Sequence, residues 1–280
     1  MRFSFKVGLD GSPWSDIEEM WLTGEDLDVF DCGWVNDHFQ GLEGRAEPTF
    51  EPFTALAALA ARTSRLRLGI LVAAVSFRNP VLIAKKSVTI DHLSRGRFEL
   101  GIGAGWMDRE HLDYGLTFLP VRERMNQFEE AAIVIRSLLH DQATDFSGTY
   151  YRYQEAPHEP KPVQLNMPIV IGGPGEKRTI PIAARHSDHY NFTVQKFKED
   201  TPELFRHKLD VLESAINEAG RSPDEIERSV QIIVNRTPEM AVDLAAEFIE
   251  SGANHMIFFF RPPLEPKVLV ALADELERKL

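Results

Sequence analysis

Short apolar and β-branched runs alternate along the chain with longer stretches in which hydrophobic residues recur at the spacing of a helix. An alternation of this kind is typical of α/β proteins that contain a parallel sheet. Eight runs have the length and composition of buried strands, and they cover residues 3–9, 32–36, 66–72, 98–102, 168–171, 188–192, 229–234 and 255–260. Between them, Thr201-Pro202 and Thr237-Pro238 each have the form of an N-cap followed by proline, which predicts a helix start.

Eight strand–helix units within 280 residues predict a (β/α)8 TIM barrel, a fold that typically takes ~250 residues. One stretch does not fit the simple repeat, because extra residues separate the helix that ends near Leu139 from the fifth strand. Ser147-Gly148 lies there between two alternating segments and predicts a small hairpin. We therefore expect a single domain over residues 1–280, with an insertion at about 140–167 before the fifth strand.

Composition excludes several classes of partner. The formal net charge of −12 argues against nucleic acid, whose phosphate backbone calls for a basic surface. No stretch approaches the ~18 uninterrupted apolar residues of a membrane span, and the N-terminus lacks the apolar core of a signal peptide. Cys32 is the single cysteine, so no disulfide forms within the chain. We expect a cytoplasmic protein that acts on a small molecule, with no membrane and no nucleic acid among its partners.

Polar residues follow the second predicted strand, and barrel enzymes place their active sites at such carboxyl ends. The stretch is Asn36-Asp37-His38-Phe39, in which an aspartate beside a histidine can tune the imidazole for proton transfer near neutral pH. Adjacent residues of a strand point to opposite faces, so Asp37 and His38 need not touch. The alternative is a helix-capping aspartate and a hydrogen-bonded core histidine, and the residues alone leave both interpretations open.

Two glycine-rich stretches follow later strands. Residues 101–106 begin like a dinucleotide fingerprint, but Trp106 takes the place of the last glycine and no acidic residue follows at the required spacing. These glycines instead indicate close approach of the backbone to a planar ligand, with Trp106 as a wall. The second stretch, GGPGEKRT at residues 172–179, lies between an apolar strand and a predicted helix. It is either a phosphate-binding loop at a helix N-terminus or a tight turn.

The histidine pattern predicts no metal site. The nine histidines are scattered, and none forms the HxH or HExxH pair that places two ligands on one element. His186 and His189 are close in sequence, but they fall at the end of a helix and the start of a strand.

Several longer stretches together carry a resemblance to a known family. They are WVNDHF at 34–39, LRLGILV at 66–72 with RNP at 78–80, the run over 84–106, YG at 114–115 and IVIGGPGEKRT at 169–179. In this order and at these spacings the chain resembles the bacterial luciferase-like monooxygenase superfamily, and specifically its coenzyme F420-dependent oxidoreductase branch. The likeness covers nearly the whole chain.

This resemblance implies a (β/α)8 barrel with a flavin or deazaflavin lying across the strand ends. In the family, the loop that matches residues 172–179 holds the cofactor phosphate, so the amides of Gly173 and Gly175 and the hydroxyl of Thr179 are the expected donors. The bond that matches Leu71–Val72 is often a cis peptide within a bulge that supports the ring. The cofactor-binding residues expected on this basis are Leu71, Val72, Ala73, Gly103, Ala104, Gly105, Gly172, Gly173, Pro174, Gly175, Glu176 and Thr179.

The resemblance also implies catalytic roles and a function. His38 is the candidate for proton transfer, Asp37 is its neighbour or a cofactor contact, and Phe39 and Trp106 belong to the substrate pocket. The first hypothesis is an F420-dependent oxidoreductase that moves a hydride between the deazaflavin and a small organic substrate. The alternatives are a reduced-FMN-dependent monooxygenase and a flavin-binding protein without turnover. Ala104 stands where FMN-using members often carry a basic residue, which favours F420.

The helices at 51–63 and 80–93 are expected to form a homodimer interface. Ala57, Ala58 and Ala61 leave small apolar surface on the side of the first helix that points away from Phe53 and Leu56. A barrel helix needs one apolar stripe towards the strands, so a second apolar face indicates another contact. The alternative is an alanine-rich surface helix selected for its helix propensity.

Overall fold

Eight parallel strands close into a barrel in the computed structural model, which describes residues 1–42, 46–194, 196, 199–234 and 237–280. The barrel strands are β1 Arg2–Val7, β2 Cys32–Val35, β3 Arg67–Ala74, β4 Phe98–Gly103, β7 Ile169–Gly172, β8 His189–Thr193, β9 Glu227–Ile233 and β10 His255–Phe260. Their order around the barrel is β1-β10-β9-β8-β7-β4-β3-β2. Each predicted strand overlaps one of these, and the TIM-barrel prediction is confirmed.

Helices surround the barrel, as the alternating pattern predicts. Their bounds are α1 Trp14–Glu25, α2 Pro52–Arg62, α3 Pro80–Ser94, α4 Asp108–Asp113, α5 Val121–His140, α6 Thr179–His186, α7 Pro202–Glu218, α8 Pro238–Glu250 and α9 Pro266–Lys279. The two predicted Thr-Pro starts are confirmed, because the hydroxyls of Thr201 and Thr237 accept hydrogen bonds from the first turns of α7 and α8. None of the helices among the described residues is long and apolar enough to cross a membrane.

The predicted hairpin insertion is also present. Strands β5 Ala143–Ser147 and β6 Arg152–Pro157 pair antiparallel between α5 and β7, outside the barrel sheet. The segment that follows the hairpin is fixed to α3, because the Asp91 carboxylate accepts the amides of Val163 and Gln164 at 2.7 and 3.2 Å. The insertion therefore covers part of the outer surface of α3.

Period-two alternation decides what fills the barrel. Along β10, Met256 and Phe258 belong to the main core between strands and helices, whereas Ile257 belongs to a separate apolar cluster inside the barrel. We call this cluster the barrel plug, and its members are Cys32, Trp34, Leu71, Val170 and Ile257. Trp34 fills most of the space because β3 has no side chain opposite it: a Cβ on Gly69 would lie 2.1 Å from the indole ring. The plug separates a polar layer at the base of the barrel from the polar residues at its mouth.

Candidate active site at the carboxyl ends of the strands

A cavity of about 600 Å³ opens at the carboxyl ends of the barrel strands. This volume is within the ~300–1,000 Å³ range of small-molecule sites. The expected site residues that line it are Asp37, His38, Leu71, Val72, Gly103, Ala104, Gly105, Trp106, Gly172, Gly173, Pro174 and Thr179. Phe39, Ala73, Gly175 and Glu176 lie behind or beside this wall. The structure thus brings together residues that are separated by more than 100 positions in the chain.

His38 is held by a carboxylate from another element. Its Nδ1 lies 2.9 Å from Oε2 of Glu110 on α4, and the other carboxylate oxygen accepts the amides of Phe39 and Gln40 at 2.6 and 3.0 Å. Burial alone would raise the pKa of Glu110, but the hydrogen bonds from His38 and from these amides bring it below its usual value. Nε2 of His38 has no partner among the described residues, and the imidazole lines the cavity. It is therefore placed to exchange a proton with a ligand.

Asp37 does not contact the imidazole of His38. Its two oxygens accept a bidentate pair of hydrogen bonds from Arg78 at 2.6 and 2.9 Å, and one of them also accepts the amide of Ala74 at 2.9 Å. The aspartate side chain is fully buried and the arginine side chain nearly so. Contact between Asp37 and His38, which the sequence left open, is thus absent, because neighbouring side chains at the strand end diverge. Asp37 instead joins the end of β2 to the end of β3.

The loop at residues 172–179 presents backbone amides beside a hydroxyl. The amides of Gly175, Glu176 and Lys177 donate to no acceptor among the described residues, and they precede the first residue of α6, Thr179. A Cβ on Gly175 would lie 2.8 Å from Oγ1 of Thr179, so glycine is needed for the hydroxyl to approach the loop. Free amides at a helix N-terminus favour an anion.

Two of the residues expected in this loop have other tasks. The amide of Gly173 donates to the carbonyl of Asn191 at 3.1 Å, so it is not available to a ligand. This corrects the expectation that Gly173 is one of the phosphate donors. The carboxylate of Glu176 points out of the loop, where it pairs with Lys208 and His207 on α7. The remaining free backbone donors are the amides of Gly175, Glu176 and Lys177.

A bulge in β3 forms one wall of the cavity. The Leu71–Val72 peptide is cis, as the resemblance implies, and the register between β3 and β4 shifts between Ile70 and Ala73. The glycines of β4 accommodate this bulge: a Cβ on Gly101 would lie 2.1 Å from the carbonyl oxygen of Ile70, and one on Gly103 would lie 2.7 Å from Val72. The glycine pattern of β4 therefore reflects packing against the bulge, where the sequence indicated only the approach of a planar ligand.

The aromatic residues of the expected substrate pocket occupy different positions. Trp106 is two-thirds exposed at the mouth of the cavity and meets the ring of His38 edge-on, at 5.8 Å between centroids. Phe39 packs on Phe77 at 4.5 Å between centroids, and Phe77 rather than Phe39 lines the cavity. Phe39 thus supports the wall from behind.

Lys6 is a site residue that the sequence pattern did not reveal. It lies on β1 inside the barrel, lines the cavity, and donates hydrogen bonds to the carbonyl of Leu71 at 2.8 Å and to Oε1 of Gln231 at 2.9 Å. Burial lowers the pKa of Lys6 to about 7. Its alternation with apolar neighbours Phe5 and Val7 was a usable signal, because period two puts a polar residue of β1 into the barrel interior.

A second polar group lies at the opposite, N-terminal end of the barrel. His189, Glu227 and His255 are the first residues of β8, β9 and β10, and their potential ligand atoms lie within 4.8 Å of one another. The sequence pattern reveals ligand pairs only when both residues lie on one element. It gives no signal for this group, whose members come from three neighbouring strands.

A closed parallel barrel whose site is formed by loops at the strand carboxyl ends defines the TIM-barrel class of proteins. Within that class, the sequence profile described as luciferase-like monooxygenase matches residues 6–278. The chain therefore belongs to the luciferase-like monooxygenase family, a family of oxidoreductases.

Relatives narrow the comparison. An F420-dependent glucose-6-phosphate dehydrogenase of Microbacterium testaceum is 30% identical over 243 residues, which are 85% of this chain and 69% of that protein. Among solved structures, an F420-dependent secondary alcohol dehydrogenase in complex with an F420–acetone adduct has a TM-score of 0.83 at 19% identity, covering 97% of this chain and 98% of that one. The F420-dependent tetrahydromethanopterin reductase of Methanopyrus kandleri has a TM-score of 0.82 at 17% identity, covering 99% and 98%.

The lowered pKa of Lys6 predicts a pH-dependent stability. Because its folded pKa is about 7 and its unfolded value is 10.5, the unfolded chain binds more protons between these limits. The cost in folding stability of burying the charged Lys6 side chain is present in full below pH 7, and it is relieved as the pH rises towards 10.5. We expect the difference in unfolding free energy, wild type minus Lys6→Met, to rise by about 1 kcal/mol per pH unit across this window.

Urea unfolding of both proteins at a series of pH values measures this difference. Lys177→Met, which removes an exposed lysine, serves as the control and should show no such slope. Parallel curves for wild type and Lys6→Met would contradict a lowered pKa.

Proposed function

We propose that this protein is an F420-dependent oxidoreductase that transfers a hydride between the deazaflavin and a small organic substrate. The observation that carries the proposal is one cavity that is lined both by the His38–Glu110 pair and by residues 172–174 and 179 of the loop, which flank its free amides. The names of the relatives and neighbours above, which refer to F420 in each case, support the choice of cofactor.

The residues of the cavity suit a deazaflavin. The β3 bulge at Leu71 and Val72 offers an apolar bed for a flat ring, and the amides from Gly175 to Lys177 with the Thr179 hydroxyl offer donors to a phosphate. When bound, F420 accepts or supplies a hydride at C5. The contribution of the protein is then to place the substrate, to move a proton and to exclude water.

His38 is the proton-transfer group in this proposal. Glu110 fixes the imidazole through Nδ1, so Nε2 takes the proton from a substrate hydroxyl when an alcohol is oxidised and returns it in the reverse direction. Glu110 is a positioning residue because it acts through His38. Asp37 has a positioning role as well, since its carboxylate holds Arg78 and the amide of Ala74 at the rim of the bulge.

A reduced-FMN-dependent monooxygenase is the second candidate, and it is supported by the description of the family as luciferase-like monooxygenases. Against it, Ala104 lines the cavity where a basic residue would contact the FMN phosphate. The nearby guanidinium of Arg124 is directed to the carbonyls of Gly105 and Leu119, at 3.1 and 2.7 Å. A flavin-binding protein without turnover is less well supported, since a buried carboxylate that orients an imidazole is costly to retain without a use.

We also propose a homodimer through α2 and α3. Ala58 and Ala61 are exposed on α2, while Leu82 and Leu93 are 46% and 49% exposed on α3. The neighbouring part of α3 is already occupied by the insertion, because Lys85 and His92 bond the carbonyls of Glu159 and Lys161. The expected interface is therefore limited to the α2 side of α3.

Titration of the purified apoprotein with F420 and with FMN tests the cofactor. We expect F420 to bind at least tenfold more tightly than FMN. Gly175→Asp should weaken the binding of F420, because a carboxylate at the free amides repels the phosphate. Gly175→Asn is the matched control, as it has the same shape without the charge. Tighter binding of FMN than of F420 would favour the monooxygenase. Equal F420 affinities of Gly175→Asp and Gly175→Asn would contradict the assignment of the phosphate to this loop.

Replacement of His38 should reduce turnover much more than cofactor affinity. We expect His38→Ala to lower kcat by ~10²–10⁴, because general acid–base groups contribute about that much. F420 reduction with glucose 6-phosphate and with isopropanol provides the assay. In His38→Asn an amide can still donate to Glu110, so a loss as large as that of His38→Ala would assign the effect to Nε2, whereas an unchanged kcat would exclude His38.

Light scattering at micromolar concentration tests the dimer. We expect about twice the 31.7 kDa mass of the monomer, and a return to the monomer mass in Ala58→Glu, which places a charge in the small-residue contact. Met240→Glu alters an exposed apolar residue on α8 and should leave the dimer intact. A monomeric wild type would contradict the proposal.

A further inference from the structure

The base of the barrel contains a compact group of potential metal ligands that the proposed function does not use. His189 and Glu227 are register partners on β8 and β9, and His255 begins the next strand. Nδ1 of His255 lies 3.3 Å from one oxygen of Glu227, and Nδ1 of His189 lies 3.6 Å from the other. The two imidazoles are 1% and 0% exposed, so neither of them belongs to the protein surface.

Hydrogen bonding distinguishes the two nitrogens of each ring. Nε2 of His189 lies 2.6 Å from Oγ of Ser229, and Nε2 of His255 lies 2.6 Å from Oγ of Ser4. Neither Nδ1 makes a well-aligned hydrogen bond to a described residue, although both are buried and lie 3.3 and 3.6 Å from the carboxylate of Glu227. Buried nitrogens without a partner are uncommon and call for an explanation.

We propose that His189, Glu227 and His255 bind a divalent transition-metal ion of the zinc type. Zinc takes nitrogen and oxygen ligands at ~2.0–2.1 Å in a tetrahedron, which separates neighbouring ligand atoms by about 3.3 Å. The distance of 3.3 Å between Nδ1 of His255 and Oε1 of Glu227 is close to this value, and one ligand atom from each of the three residues lies within 4.8 Å of the others. The serines complete the pattern, because a histidine that binds a metal donates its other ring N–H to a neighbouring acceptor.

The charges around the group permit such an ion. Arg2 donates to Oε2 of Glu227 at 2.7 Å and to Glu99 at 2.8 Å, and Arg67 also bonds Glu99. Oε1 of Glu227, which faces His255, is left for the metal, and Oε2 of Glu99 has no partner among the described residues. Two carboxylates thus balance the two guanidiniums, and the two imidazoles remain to bind the ion.

The position of the group indicates a structural role. The barrel plug with Trp34 lies between this group and the cavity, and the ring of Trp34 is 6.1 Å from that of His189. Arg2 and Glu227 are partly exposed at the base, at 28% and 22%, so an ion reaches the ligands from the side opposite the active site. The metal would join β8, β9 and β10 at their first residues.

Metal analysis of the full-length protein tests this inference. The chain is treated with a chelator, refolded with Zn²⁺ or Co²⁺, and passed through gel filtration. We expect about one ion per chain, a cobalt spectrum of tetrahedral type, and a melting temperature that rises with metal concentration. His255→Gln and Glu227→Gln should lose the ion, whereas His92→Gln, outside the barrel, should retain it.

A second pair of variants decides the matter if the ligand variants fail to fold. Ser4→Ala and Ser229→Ala leave all three ligands in place, and loss of such a supporting hydrogen bond should weaken metal affinity ~10–100-fold. Circular dichroism confirms that they are folded. Wild-type protein that retains no more metal than Glu227→Gln, or serine variants with unchanged affinity, would overturn the assignment.

Discussion

The interior of a closed barrel must be filled by every second side chain of its strands, and this constraint orders the whole molecule. In this chain the filling is done by Trp34, which occupies space that a side chain on Gly69 would take. Polar inward-facing residues are then confined to two layers, with His189, Glu227 and His255 at the base and Lys6 at the mouth. The barrel plug thus separates two polar groups of different composition within one barrel.

The cavity wall at the barrel mouth depends on the bulge of β3. The bulge requires glycines on β4, and its Leu71 carbonyl is held by the ammonium group of Lys6 from across the barrel. Arg78 and Asp37 hold the same strand from its end. The wall that would support a cofactor ring is therefore fixed from three sides. A change in any of these contacts is expected to affect the position of the cofactor more than the proton transfer at His38, because none of them involves His38.

The fold could be predicted from the sequence because strand and helix periods are local properties. The loop at 172–179 was also accessible, since its glycines and the following helix are contiguous. The pairs that define the site were not: His38 and Glu110 are 72 residues apart, and Asp37 and Arg78 are 41 apart. No local pattern encodes such distances. The availability of the Gly173 amide was misjudged for the same reason, because its acceptor, Asn191, lies on the adjacent strand β8.

The charges near the loop at 172–179 bear on the phosphate site that we propose for an acidic protein. Four basic side chains around the loop are engaged by carboxylates: Lys208 and His207 pair with Glu176, and Arg178 and Arg185 pair with Glu129. The attraction for an anion is then left to the exposed Lys177, the free amides and the N-terminus of α6, and the amides and the helix end act only at short range. Such a site does not draw polyanions from a distance, in keeping with the net charge of −12. The cofactor that we propose would instead place its phosphate at this loop and its ring on the β3 bulge.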